Sequence, residues 1–217
     1  SFTREHFVEH YDLQAELTDH LANAIEERWQ SNPNLDFETA LQAEFKKFGV
    51  FGFSDIVEKR SKALMKRYYG LLWSYFKTFF RLPQVLGIIS AVIAIYWLLK
   101  FIPILYTVLF FLGIILSVSF AIYTAIKYKR KAKLTGRKWL LEEIIFTCAG
   151  SIPILYIPAY FNDFVFVKDE VISEPFSWLL ATILVLYYLF GYISLFVLPS
   201  KAKTHLIELY PEYEMIA

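Results

Sequence analysis

The chain has a single cysteine, Cys148, which excludes an internal disulfide and any structural zinc site built on several thiolates. Glycine is scarce, with eight in 217 residues. No glycine spacing forms a Walker loop or a dinucleotide turn, and no GxSxG, HExxH or Cys/His nucleophile pair is present. Charge is missing over long stretches: residues 84–99, 101–126, 144–161 and 175–200 contain no Asp, Glu, Lys, Arg or His. Proton- or ion-coupled transport generally needs an ionisable group inside the membrane, and none falls in the middle of these runs. The N-terminus is acidic and amphipathic rather than basic and then apolar, so no signal peptide is expected. Residue 1 is Ser rather than Met, which points to native residues ahead of it.

What the chain does have is apolar surface. It is 57% hydrophobic and 19% aromatic, with 21 Phe and 15 Tyr, against roughly 45–50% apolar for a soluble domain. The excess needs lipid around it. A helix needs about 20 residues to cross a hydrocarbon core of about 30 Å. The uncharged runs therefore predict four transmembrane helices, near 82–99, 101–126, 139–161 and 176–199. The first carries Pro83 in its first turn. The third takes in Trp139 to Leu141 and is kinked by Pro153 and Pro158. The expected fold is all-α, an N-terminal cytosolic three-helix module followed by a four-helix transmembrane bundle. Its parts are an acidic module (1–67), a basic aromatic juxtamembrane segment (68–83), the spans (84–200) and a tail (201–217).

The formal net charge of +1 hides a segregation. Lys59, Arg60, Lys62, Lys66, Arg67, Lys77 and Arg81 precede the first span, seven bases fill 127–138, and Lys201 and Lys203 follow the fourth. The stretch after the third span is acidic, with Asp163, Asp169, Glu170 and Glu174. The positive-inside rule then puts both termini in the cytoplasm, and the expected site is a bacterial inner membrane.

The first 58 residues hold twelve acids against four bases. Leu13, Leu17, Leu21, Ile25 and Trp29 recur every fourth residue and predict an amphipathic helix from about 12 to 30. "SNPN" ends it. A second helix follows, with Asp36 as N-cap, Gly49 as stop and a stripe of Phe37, Ala40, Leu41, Phe45 and Phe48. Ser54 or Asp55 is expected to cap a third. His6 with His10, and Glu16 with His20, are spaced to share a helix face and are metal candidates on that ground. No second ligand pair accompanies them, so no metal and no cofactor is expected. The acids lie opposite the leucine stripe, which makes Glu16, Asp19, His20, Glu26 and Glu27 a candidate protein-binding face. An acidic surface does not bind nucleic acid directly.

Lys59, Arg60, Lys62, Lys66, Arg67, Trp73, Lys77 and Arg81 mix cations with aromatics beside the first span, a composition that suits contact with anionic lipid headgroups. Gly113, Ser117, Ala121 and Ala125 are four apart in the second span and are read as a helix-packing face, within the chain or between copies. Tyr187, Tyr188, Gly191, Tyr192 and Ser194 are expected to face the bundle interior. Glu142 and Glu143 stand at the cytoplasmic entrance of the third span.

"DLQAELTDHLANAIEERWQSNPNLDFETALQAEFKKFG" (12–49) and then "FSDIVEKRSKAL" resemble the cytosolic helical module called the HAAS domain. The shared pattern is an acid-flanked "ELxxHL" helix, a polar turn, an "FExAL" helix ending in "FG" and a third helix leading to hydrophobic spans. The stretch is similar above all to multi-span proteins of the Bacteroidota, and covers about the first 65 residues. The resemblance puts Glu16, His20, Leu21 and Gly49 at motif positions with structural roles. It implies a regulatory or interaction module, often encoded beside PadR-type repressors, and no catalytic residue. The expectation is a non-enzymatic regulatory or accessory membrane protein that binds a protein partner on the cytosolic side. The alternative is a subunit of a transporter or small-solute permease acting as an oligomer.

Overall fold

The computed structural model describes residues 2–102, 104–147 and 174–216. Cys148, Pro153, Pro158, the rest of the expected third span, and Asp163, Asp169 and Glu170 lie outside them. Among the described residues every regular element is a helix and none is a strand. In chain order these are α1 (Phe2–Glu5), α2 (Tyr11–Ser31), α3 (Phe37–Lys46), α4 (Ser54–Thr78), α5 (Gln84–Phe101), α6 (Leu105–Thr135) and α7 (Leu140–Thr147). Then come α8 (Glu174–Ser200), which includes a π-helical segment at Ile193–Val197, α9 (Ala202–Leu209) and α10 (Tyr213–Ile216).

The four-residue period of α2 puts Leu13, Leu17, Leu21 and Ile25 on one buried face, which meets α3 at Ala40 and Leu41. Trp29 Nε1 donates to the Leu35 carbonyl at 2.8 Å and holds the turn between them. Asp36 caps α3 by accepting from the Thr39 amide at 3.2 Å. Between the helices, Glu44 is buried and accepts from Arg28 and, at 2.6 Å, from Lys47. The Lys47 hydrogen bond first, with Arg28, holds the Glu44 carboxyl below its ordinary value although burial opposes this.

Two expectations change here. Phe37 is 53% exposed: α3 has only ten residues, and with Ala40, Leu41 and Glu44 inward its first residue stays at the rim beside Trp29. Neither Ser54 nor Asp55 caps α4. Phe53 occupies the N-cap position and is buried, because its ring fills a cluster with Phe45 at 5.0 Å and Phe48 at 4.9 Å. Packing sets that helix start. Gly49 (φ 77°) and Gly52 (φ 54°) take left-handed conformations in the turn before it, which glycine adopts without a Cβ clash.

Helix α4 runs unbroken for 25 residues across position 67, so the acidic module and the basic aromatic segment share one rod. Leu64, Tyr68 and Leu72 form its buried face, against α7 and the π-helical segment of α8. The Tyr68 hydroxyl lies 3.4 Å from Ser194 Oγ.

Among the described residues three helices, α5, α6 and α8, are long and apolar enough to cross a membrane. Their apolar windows are 11%, 17% and 44% buried respectively, so α8 is the central helix and the other two show most of their apolar surface outward. Helices α5 and α8 run antiparallel. Tyr96 stacks on Trp178 at 4.1 Å, and Lys100 meets Glu174 at 2.9 Å at their common end. Tyr187, Gly191 and Ser194 are buried, but Tyr192 is 51% exposed; it lies about 100° around the helix from Gly191 and leaves the inner face.

Much of the expected 127–138 loop is helical, because α6 continues to Thr135. Lys, Arg and Ala favour helix, and cations near a helix C-terminus are stabilised by the macrodipole. Gly136, with φ 66°, ends it. At 31 residues, α6 is about 46 Å long and overruns a hydrocarbon core of about 30 Å by several turns.

Candidate functional site

Three parts of the chain distant in sequence meet at the basic end of α6. The backbone brings residue 11 to residue 138: the Tyr11 amide donates to the Lys138 carbonyl at 2.7 Å. Asp12, buried, then reaches two partners. Its Oδ1 accepts from the Leu140 amide at 3.2 Å, and its Oδ2 from the Tyr210 hydroxyl at 2.7 Å. A carboxylate from α2 thereby satisfies a free amide in the first turn of α7. Burial, and then the neighbouring Asp12 charge, push the Tyr210 hydroxyl above its ordinary value, so it stays protonated and donates.

Glu142 is also buried. It accepts from Lys131 Nζ at 2.8 Å and from the Tyr213 hydroxyl at 3.0 Å, and Lys131 lies 2.7 Å from that hydroxyl. His10 Nε2 is 3.0 Å from Glu143, and Lys138 donates to Glu9. Trp139 is buried among Tyr11, Tyr210 and Tyr213, each ring centroid 5.2 Å away. On the far side of the tail, Tyr75 meets His205 Nε2 at 2.9 Å.

This is a clasp. Carboxylates from α2 and α7 are answered by the hydroxyls of Tyr210, just past α9, and of Tyr213 in α10, and by a lysine from α6, in a place where an unanswered acid would be costly. Sequence reading placed Glu142 and Glu143 at a wet entrance, and Asp12 and the tail tyrosines in no site. The available signal was a pair of acids opening an apolar helix, together with tyrosines in the polar tail "LIELYPEYE".

The expected residues fall as follows. Glu16, Asp19, His20, Glu26 and Glu27 are all exposed on α2, and Glu16 is 3.6 Å from Arg60. Lys59, Lys62, Lys66, Trp73 and Lys77 are exposed along α4, and Arg81 just beyond it. Arg60 and Arg67 are half-buried and turn toward Glu16 and Glu208 instead. Gly113 packs so closely on α8 that a Cβ there would stand 2.7 Å from the Tyr187 ring, and Ser117 Oγ lies near Gly191. Ala121 and Ala125 are half-buried. His6 and His10 do not share a helix, since α1 ends at Glu5 and Phe7 takes φ 65° between them. Among the described residues no group of three His, Cys, Asp or Glu side chains is placed to hold a metal ion.

No family model, no curated protein and no solved structure matches this chain.

Proposed function

We propose that the chain is a four-span protein of a bacterial inner membrane, with both termini cytoplasmic, whose acidic N-terminal helices dock a protein partner in a regulatory or accessory role without enzymatic chemistry. The observation that carries this reading is α2 itself. Its leucine face is buried, its acids Asp19, Glu26 and Glu27 project outward, and its first turn is tied by Asp12 to α7 at the base of the apolar helices. A partner held on that face is mechanically coupled to the membrane part. Several further features support the topology. The clasp gathers residues 9–12, 138–143 and 210–213 at the end where the bases concentrate. Lys100 and Glu174 pair at the opposite end of α5 and α8. The exposed Lys59, Lys62, Lys66, Trp73 and Lys77 of α4 suit anionic headgroups on the same side. The HAAS-like pattern of residues 12–49 fits a docking module.

An oligomeric permease built on the small-residue face of α6 lacks an observation of its own, because Gly113 and Ser117 are engaged by α8 of the same chain. The test is charge reversal, E26K with E27K, followed by recovery of partners from mild detergent. The reading expects a partner whose co-purification is lost in the variant while the chain stays folded. Identical recovery from both proteins would overturn it. Polar changes at Leu17 or Leu21 are unsuitable, since both are buried and the helix pair would unfold.

A further inference from the structure

Beside the clasp, the N-terminal segment, the extension of α6 and the start of α7 enclose a groove of about 690 Å³, within the roughly 300–1,000 Å³ range of small-molecule sites. Its charge is lopsided. Arg4, Lys129, Lys133, Arg137 and Lys138 line it, against the carboxylates Glu9 and Glu143. Both carboxylates are already engaged, Glu9 by Lys138 and Glu143 by His10. Among the described residues Arg4, Lys129, Lys133 and Arg137 have no carboxylate partner. Arg137 is positioned by the Tyr11 ring, 4.6 Å from its guanidinium, and Lys129 and Lys133 stand one turn apart on α6. Like charges that line one groove without counter-charges repel one another, and a bound anion relieves the repulsion.

We propose that this groove binds a phosphate-bearing anion. Phosphate is the anion that Arg and Lys recognise best in combination, Arg through its planar fork and Lys as a point charge. The groove reaches from Arg4 and Gly136 on the wet side down to Tyr128. Tyr128 stacks on Phe146 just where the uncharged part of α6 ends. Two sources of phosphate therefore reach it, a soluble di- or polyphosphate from the cytosolic side and the headgroup of an anionic lipid from the bilayer. The site does not depend on whether α2 docks a partner. A ligand here bridges the N-terminal segment and α6, and so strengthens the same junction as the clasp.

The experiment uses the full chain in neutral detergent, titrated with inorganic pyrophosphate by calorimetry, and in nanodiscs of phosphatidylcholine with and without phosphatidylglycerol, read by thermal melting. Four proteins are compared: the parent, K129Q/K133Q, the charge-keeping K129R/K133R, and K46Q on the exposed face of α3 as a control. Saturable pyrophosphate binding that weakens about tenfold in K129Q/K133Q, the factor that ~1.4 kcal/mol represents, supports a soluble ligand. No pyrophosphate binding, but a phosphatidylglycerol-dependent rise in melting temperature lost in K129Q/K133Q and kept in K46Q, supports the lipid source. K129R/K133R retains the response in either case. Parent and K129Q/K133Q behaving alike with both probes, or K46Q losing the response equally, overturns the proposal.

Discussion

Helices α2 and α6 are both rich in leucine and isoleucine, and they point them in opposite directions. On α2, Leu13, Leu17, Leu21 and Ile25 are at most 5% exposed, and Glu16, Asp19, Glu26 and Glu27 face out. On α6, Ile115 and Leu116 are 60% and 57% exposed, while small and hydroxylic residues, Gly113 and Thr124, face in. The same side chain thus goes inward in one region and outward in the other. Burial of apolar area stabilises by about 25 cal/mol per Å² only where water is the alternative. Where the alternative is hydrocarbon, apolar groups gain nothing by turning inward, and close approach of small residues and hydrogen bonds decide the packing instead. The contrast is what the proposed membrane placement requires, with water around α2 and hydrocarbon around α6. On that reading the boundary falls near the C-terminal third of α6, where Thr124 still bonds to the Phe146 carbonyl and Lys127 begins the basic extension.

The largest effect that tests this contrast is truncation of the inward leucine. Leu17→Ala is expected to cost about 2–5 kcal/mol, as for other buried leucines, and Leu116→Ala close to nothing; thermal melts followed by circular dichroism compare them. Equal costs would erase the contrast. Next comes a charge on the outward face. Leu116→Lys lies near the middle of an uncharged run and is expected to cost roughly 2.5–3.5 kcal/mol in a membrane insertion assay. A fully tolerated lysine would mean that water surrounds α6.

A smaller effect sharpens the link between the regions. Asp12→Asn replaces one accepting oxygen by an amide group that faces donors, at about 1–3 kcal/mol. Hydrogen exchange is expected to speed up in α9, α10 and the first turn of α7, and to leave α5 unchanged. The smallest concerns acid. The Glu44 carboxyl is held below its ordinary value of 4.5 by Lys47 and Arg28. Its stabilisation is therefore complete above that value and fades as pH falls through the lower folded value. The α2–α3 pair should loosen on acidification below 4.5 before the apolar helices do, and Glu44→Gln should flatten that slope in melts recorded from neutral pH downward.

Much of this was readable along the chain. The buried stripe of α2, the Asp36 cap and the apolar helices α5, α6 and α8 follow from spacing of three or four residues or from length alone. The α6 extension is hidden because a charged run resembles a loop, although Lys, Arg and Ala favour helix until Gly136. Phe37 and Tyr192 depart from their stripes because helical spacing does not show where the partner helix stops. The clasp was invisible. Asp12 meets Leu140 and Tyr210 across 128 and 198 residues of sequence, and nothing in the neighbourhood of an aspartate tells whether a distant hydroxyl will answer it.

The sequence by itself determined which segments prefer water and which prefer hydrocarbon, because hydropathy and helical period are properties of neighbouring residues. The tertiary structure alone decided which acids are buried, which bases lack a counter-charge among the described residues, and that residues 9–12 and 210–213 close on the start of α7. Those outcomes depend on which helices become neighbours, and a polar group's cost or gain is set by the partner it finds there.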